Sequence, residues 1–489
     1  MQKSNMINAL IDGKVCEYLR NDRSCGITFT DIKELMISSW DPAELKHYWK
    51  AWHNYTSYDI KNQYLKFIGH LNNMAKLNNV SDVIAYHAKP YYTECPVNFN
   101  RIYENIKPLY LQLYTYVRKL LRNKFGPNTV AAKGPIPVHL LGSVLGQPWT
   151  NLIHSMPDEF VPDKNDKMDI KTPKRLFDQA NGFYSSIGMG NLPKSVWARS
   201  LFKKSDEFVD CQPSSWDIYK DNDFRIKICC KGGAEDVYKF HAQIGLVHYF
   251  MAYKKQPIVY QRPADTVFSE SLINALVLSV RYQDFIDRHS DSQDSRHKFL
   301  LQMALKKVSI LPFAYASDLW HTGVFKRTFA PKHMNDFWWS KRLKYEGVSS
   351  PIAKGKDKSA NSNYKPFDPS ASYSVLTELP QIKYFLQPII EFQIFKALCI
   401  ACGEYDPKHA DTKQLYECNL RGYKKIAKII KPVMSKGASV KWQSLLETIV
   451  GHSRLDANPM LEYFRTLYDH LWTVNNQTNE FLGWKTNAT

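Results

Sequence analysis

Apolar residues recur at the three-to-four spacing of an amphipathic helix through most of the chain. The stretches lie near residues 43–78, 99–124, 172–187, 233–255, 270–288, 296–316, 380–403, 420–436 and 456–476. Strict apolar/polar alternation is rare, so the expected class is mainly α with few short strands. The segment 349–373, SSPIAKGKDKSANSNYKPFDPSASY, is polar, contains proline and is basic in its first half. It reads as a long mobile loop, with a domain linker as the alternative. Neither an internal repeat nor a sustained heptad pattern is present. No run of eighteen or more apolar residues occurs, so no transmembrane helix is expected, and the opening MQKSNMINALIDGKVCEYLRNDRSCG is polar where a signal peptide needs an apolar stretch.

A chain of 489 residues with 44% hydrophobic and 23% charged residues can bury a large core, which excludes overall disorder. Length alone leaves room for two or three domains. The 65 Lys and Arg against 47 Asp and Glu give +18, which favours an anionic membrane or glycan surface, or nucleic acid, as partner. Nucleic acid is set aside because the many aromatic residues are not interleaved with basic ones in any recognisable binding module. The segment 421–432, RGYKKIAKIIKP, places Arg421, Lys424 or Lys425, and Lys428 on one helical face and Ile426, Ile429 and Ile430 on the other. A solvated basic face over a core-facing stripe is its default reading, and an anionic lipid or glycan contact the alternative. Nine cysteines and Asn-x-Ser/Thr sequons at Asn54, Asn79, Asn476 and Asn487 suit an extracellular or membrane-associated protein.

Several separated blocks carry a more specific signal. They are GPIPVHLLGSVLGQPW (134–149), CQPSSWDIYKDNDFRIKIC (211–229), FHAQIGLVHYFMAYKKQPIVYQRPADTVFSESLINALVLSV (240–280), LPQIKYF (379–385), FQIFKALC (392–399), LYECN (415–419), MLEYFRTLYDHL (460–471) and LGW (482–484). In content and order they resemble the angiotensin-converting enzyme family, over almost the whole chain. The resemblance implies one large helical peptidase domain over 1–489, zincin-like and divided by a deep central cleft. Only fifteen residues precede Cys16, where the family has a substantial helical segment forming a lid. The expectation is therefore an N-terminally shortened domain with its closure in doubt.

That family releases dipeptides from peptide C-termini. It uses H-E-x-x-H on a helix: histidines at i and i+4 share a face and bind zinc, the intervening Glu is the general base, and a downstream Glu completes the ligands. The matching positions are Ala242, Gln243, Ile244, Gly245 and Leu246, so both imidazoles and the base are missing. A one-residue slip puts His241 at the first ligand position but Ala242 and Gly245 at the next two, and rescues nothing. His248 is likewise rotated off the metal-facing positions. The third ligand matches Glu270, a vestigial ligand here, and the carboxylate expected four residues later is Asn274.

The transition-state groups, two histidines and a tyrosine in the family, match Gln212, Ser374 and Tyr384, so only the tyrosine is kept. In the pocket for the substrate carboxylate Gln147 is kept, whereas the expected lysine and tyrosine match Ser372 and Gln381. The chloride-binding arginine matches Lys383, which keeps the charge and loses the planar fork. Zinc is therefore expected to be lost, and anion activation with it.

Cys16–Cys25, Cys211–Cys229 and Cys399–Cys418 match the family's three short-loop disulfides, leaving Cys95, Cys230 and Cys402 unpaired. Cys399-Ile-Ala-Cys402 is formally a C-x-x-C motif, but no thioredoxin-like strand precedes it. The functional expectation is a catalytically inactive, secreted member of the family with a peptide-binding, protein-binding or developmental role. The alternatives are a zinc-dependent peptidyl dipeptidase and a basic surface-binding scaffold. The sequence gives no oligomeric state.

Overall fold

The structure, a computed structural model, describes residues 12–18, 25–86, 98–155, 172–203, 211–289, 291–352, 366–377 and 380–486, together with Met6 and Leu10. Among these residues the helices are α1 Phe29–Ser38, α2 Pro42–Leu77, α3 Phe99–Phe125, α4 Pro173–Ser186, α5 Lys194–Ala198, α6 Ala234–Tyr253, α7 Thr266–Arg288 and α8 Gln293–Lys307. They continue with α9 Ile310–Phe325, α10 Met334–Glu346, α11 Ile382–Cys402, α12 Lys425–Met434, α13 Trp442–Val450, α14 Asn458–Tyr463 and α15 Arg465–Gln477. Three two-stranded sheets accompany them: β1 Lys14–Val15 with β2 Ile27–Thr28, β3 Ile136–Pro137 with β6 Val348–Ser349, and β4 Ser214–Asp217 with β5 Phe224–Lys227. The β3–β6 pair is parallel and the other two are antiparallel. The fold is mainly α, as the sequence pattern predicts.

Side-chain caps set the helix starts. Asp41 accepts from the Ala43 amide at 2.8 Å with Pro42 in the first turn, Thr172 from Arg175 at 3.3 Å ahead of Pro173, and Asp265 from Val267 at 2.7 Å. Each cap satisfies an amide that the helix itself leaves unpaired. One expected helix, 296–316, is two, because the chain breaks at Val308–Ser309 between α8 and α9. The Ser309 hydroxyl is fully buried there and donates to the Leu305 carbonyl at 2.8 Å.

The chain divides into two compact units, one of residues 1–161, 300–385 and 466–489 and the other of 162–299 and 386–465. In the first, Tyr64, Trp320, Trp338 and Phe367 form an aromatic core, with Trp320 and Trp338 edge to face at 5.4 Å. The terminal LGW block is held by this unit. Buried Arg118 donates to the carbonyls of Phe481 and Gly483, and Trp484 lies where a Cβ on Gly347 (φ 72°) would be, so only glycine fits at 347. In the second unit Phe392, Tyr463 and Phe464 pack together, and Tyr463 also meets Tyr416, two residues before Cys418 of the Cys399–Cys418 bridge.

All three expected disulfides are present. Cys399 is committed to Cys418, so the C-x-x-C spacing has no redox partner in Cys402. Cys402 and Cys230 are half-buried free thiols, and burial raises the pKa of each. Cys95 lies outside the described residues, as do 353–365 of the expected loop. Two stretches, 293–325 and 382–402, do reach the length and hydropathy of a bilayer span. Within the fold, 78% and 67% of their most apolar windows are buried, the condition of core helices. On α12, Ile426 and Ile430 are fully buried while Lys425 and Lys428, with Lys424 just before the helix, are exposed, which fits the solvated basic face.

Candidate functional site

Helix α6 carries the five motif positions, and its packing fixes which face they occupy. Glu235 and Asp236 stand in the first turn, where the helix dipole favours carboxylates. Burial works against ionisation of Asp236, but hydrogen bonds from Lys239 and from the Lys231 and Gly232 amides hold its carboxyl below the usual range. Farther along, His241, Ile244, Gly245 and His248 are buried, whereas Ala242, Gln243 and Leu246 are half-exposed along one face.

Gly245 governs that rotation. A Cβ at this position would lie 2.2 Å from the Tyr184 hydroxyl and 2.7 Å from Ile273 Cγ2, so α4, α6 and α7 meet at a spot with no room for a side chain. The Tyr184 hydroxyl, on α4, donates to the His241 carbonyl at 2.8 Å. His241 itself turns its Nδ1 to the Val237 carbonyl at 2.7 Å and packs on Phe183. The His248 ring lies 5.0 Å from that of Tyr184, and burial, with Lys431 nearby, lowers its pKa to about 3, so it is neutral. Both histidines are thus packed on the inner side of α6, away from the face of Ala242 and Leu246.

On that face the Gln243 side-chain carbonyl accepts a 2.8 Å hydrogen bond from Ser215 of β4. An amide cannot take up a proton at neutral pH, so it has no capacity as a general base. Gln212 is exposed just before β4, and Glu270 is exposed on α7 one turn before Ile273. Asn274 is half-exposed. All of these belong to the second unit.

The remaining positions belong to the first unit and form two groups. Ser372, Ser374 and Gln381 are tied together at the head of α11: the two hydroxyls are 2.9 Å apart, and Gln381 Nε2 donates to the Ser374 carbonyl at 2.6 Å. The amide of Ile382 is capped by Asp318 at 2.9 Å. In the same first turn Lys383 Nζ lies 4.7 Å from the ring of exposed Tyr384. Gln147 sits in a different network. Its Nε2 donates to Glu346 at 3.3 Å and its Oε1 accepts from Ser309 at 3.1 Å, while Arg342 binds Glu346 through Nε at 2.5 Å and the Leu145 carbonyl at 2.9 Å.

A family model described as angiotensin-converting enzyme matches residues 2–484. The chain belongs to the angiotensin-converting enzyme family. It is 32% identical to the angiotensin-converting enzyme of Sus scrofa over 471 residues, 93% of this chain and 35% of that protein. It is 31% identical to the angiotensin-converting enzyme-like protein Ace3 of Mus musculus over 469 residues, 93% of this chain and 62% of that one. With the angiotensin-converting enzyme-related protein of Drosophila melanogaster the identity is 31% over 502 residues, 98% of this chain and 77% of that one. The chain thus spans about a third of the length of the mammalian angiotensin-converting enzymes it matches.

The angiotensin-converting enzyme family is one of zinc metallopeptidases. The residues at the positions that the sequence resemblance assigns to the motif do not fit zinc: a methyl, a carboxamide and an isobutyl group stand at 242, 243 and 246, where the resemblance expects two imidazoles and a carboxylate. None of its fifteen histidines is followed by glutamate. Among the described residues no three His, Cys, Asp or Glu side chains converge as a ligand set. Sequence reasoning missed the supporting residues Tyr184, Ser215, Asp318, Ser309 and Glu346. None belongs to a chemical motif, and only Gly245, a glycine inside a helical run, hinted at a close approach.

Proposed function

We propose that this chain is a catalytically inactive member of the angiotensin-converting enzyme family that acts outside the cell by binding a peptide or protein. The observation that carries the reading is the face of α6. Ala242, Gln243 and Leu246 occupy the half-exposed positions, and His241 and His248 are packed on the opposite side. Without an activated water, a general base or ligands to hold a metal, the hydrolytic step has no agent among these residues. The retained, exposed Tyr384 supports a binding role, as does the intact disulfide framework, whereas buried Gln147 is engaged within the fold. Purified protein is expected to release no dipeptide from C-terminally free peptides. Release that a chelator abolishes would establish the peptidyl dipeptidase alternative.

Extracellular residence rests on the three disulfides, which persist in oxidising compartments, and on the sequons. Asn79 and Asn476 are exposed, whereas Asn54 lies within α2 with its side-chain oxygen buried. Glycan mapping of protein secreted from animal cells is expected to find Asn79 and Asn476 occupied and Asn54 bare. A glycan on Asn54 would contradict the packing of α2.

A further inference from the structure

Six large apolar side chains are exposed on two segments that are both hydrogen-bonded to the end of α6. Trp216, Ile218 and Tyr219, on and after β4, have relative exposures of 57%, 42% and 55%, and Ile258, Val259 and Tyr260, in a single 3-10 turn, have 63%, 65% and 41%. Chain geometry pins both groups to the last turn of α6. The Tyr253 hydroxyl is hydrogen-bonded to Asp217, and Lys254 Nζ donates to Asn222 at 3.3 Å. From the other side Gln261 donates to the carbonyls of Lys254 and Gln256 at 3.0 and 2.7 Å. Gly437, where a Cβ would lie 2.2 Å from the Tyr260 carbonyl, closes the base of that turn. Tyr219 holds a left-handed backbone (φ 57°), uncommon for an aromatic residue, that turns the chain at the tip.

The charges beside these side chains are basic. Lys220, Lys254 and Lys255 are exposed among them. Of the hairpin's acids, Asp217 is engaged by Tyr253, and Asp223 is paired with Arg199 and Arg225 at 3.1 and 2.7 Å, while Asp221 is exposed at the tip. Aromatic rings with polar edges, short aliphatic wedges and flanking lysines are the composition that seats at the headgroup level of an anionic bilayer. The α12 helix lacks the apolar half of this combination, since Ile426 and Ile430 are consumed by the core.

We infer that the β4–β5 hairpin and the Ile258–Tyr260 turn form a shallow-inserting contact for anionic membrane surfaces, with Trp216, Ile258 and Val259 entering the interface and Lys254 and Lys255 attracting the headgroups. The test is sedimentation of the full chain with vesicles of phosphatidylcholine alone or with about one-third phosphatidylserine, at low and physiological salt. Partition to the anionic vesicles is expected to exceed that to neutral ones by at least about tenfold, and to fall with salt. Trp216→Ser/Ile258→Ser/Val259→Ser and, separately, Lys254→Glu/Lys255→Glu should each reduce it about tenfold or more, with thermal unfolding changed little because all five side chains are exposed and Lys254 gives up one exposed hydrogen bond. Lys424→Ala/Lys425→Ala/Lys428→Ala should keep at least half of the binding. No partition, or partition removed only by the α12 variant, overturns the inference. So does retention on heparin that survives the Ser substitutions without vesicle binding, which would make the surface a glycan site.

Discussion

The Ala242→His/Gln243→Glu/Leu246→His variant is expected to bind one equivalent of zinc at least about a thousandfold more tightly than the native chain. Positions 242 and 246 are one helical turn apart on the half-exposed face of α6, so imidazoles there share a side without displacing buried atoms. Glu270, on the adjoining helix α7, is the third ligand in this reading, and two imidazoles with a carboxylate are a sufficient protein set. Coordination of this kind is worth about 10 kcal/mol or more in structural sites, so even imperfect geometry leaves a large gain. Zinc should therefore raise the unfolding temperature of the variant and leave that of the native chain unchanged. Peptidase activity should stay low, because Gln212 stands where the resemblance places a transition-state donor; adding Gln212→His is expected to raise turnover by about two orders of magnitude. A triple variant that binds no zinc would mean that α6 and α7 do not present positions 242, 246 and 270 to one point.

Glu346→Gln is expected to cost about 3–5 kcal/mol, the effect of leaving a buried guanidinium without its carboxylate. Arg342 and Glu346 are 2% and 0% exposed. The guanidinium is enclosed by the rings of Phe313, Trp338 and Trp339 at 5.1, 5.4 and 5.4 Å, so water cannot replace the lost partner. The carboxamide keeps a single acceptor oxygen, for which Arg342 and the Gln147 amide then compete. Replacing both ions, as Arg342→Met/Glu346→Met, should cost less than the single change, because no unpaired charge remains buried. Urea midpoints with matched slopes measure the difference. A double variant as damaged as Glu346→Gln, or a single variant close to native, would assign the pair a minor structural role.

These residues also mark where the sequence ceased to be legible. The long helices were readable because their buried faces are apolar at helical spacing, and α2 and α3 begin at their Asp41 and Asn98 caps close to where the pattern starts, whereas α7 begins at its Asp265 cap, before the expected 270. Helix α10 was missed because its buried face includes Arg342 and Glu346 beside Trp338 and Tyr345, which breaks the apolar period. The break at Ser309 was hidden by the reverse effect, an apolar pattern that continues across a residue held by hydrogen bonds. The residue types at 242, 243 and 246, which the resemblance assigns to two ligands and the general base, could be read directly, since chemistry resides in residue type. What a kept residue does could not. Gln147 matches the family's position, yet its amide is engaged by Glu346 and Ser309, far away in sequence. Likewise, the reason His241 and His248 are no substitutes lies in Tyr184 and Ile273 crowding Gly245.

The zinc content of the purified native chain tests the central claim most directly. Expressed in zinc-supplemented medium, dialysed without chelator and measured by elemental mass spectrometry, it should hold far less than one equivalent, since Ala242, Gln243 and Leu246 offer no ligand. One tightly held equivalent per chain, released only by a strong chelator, would contradict it.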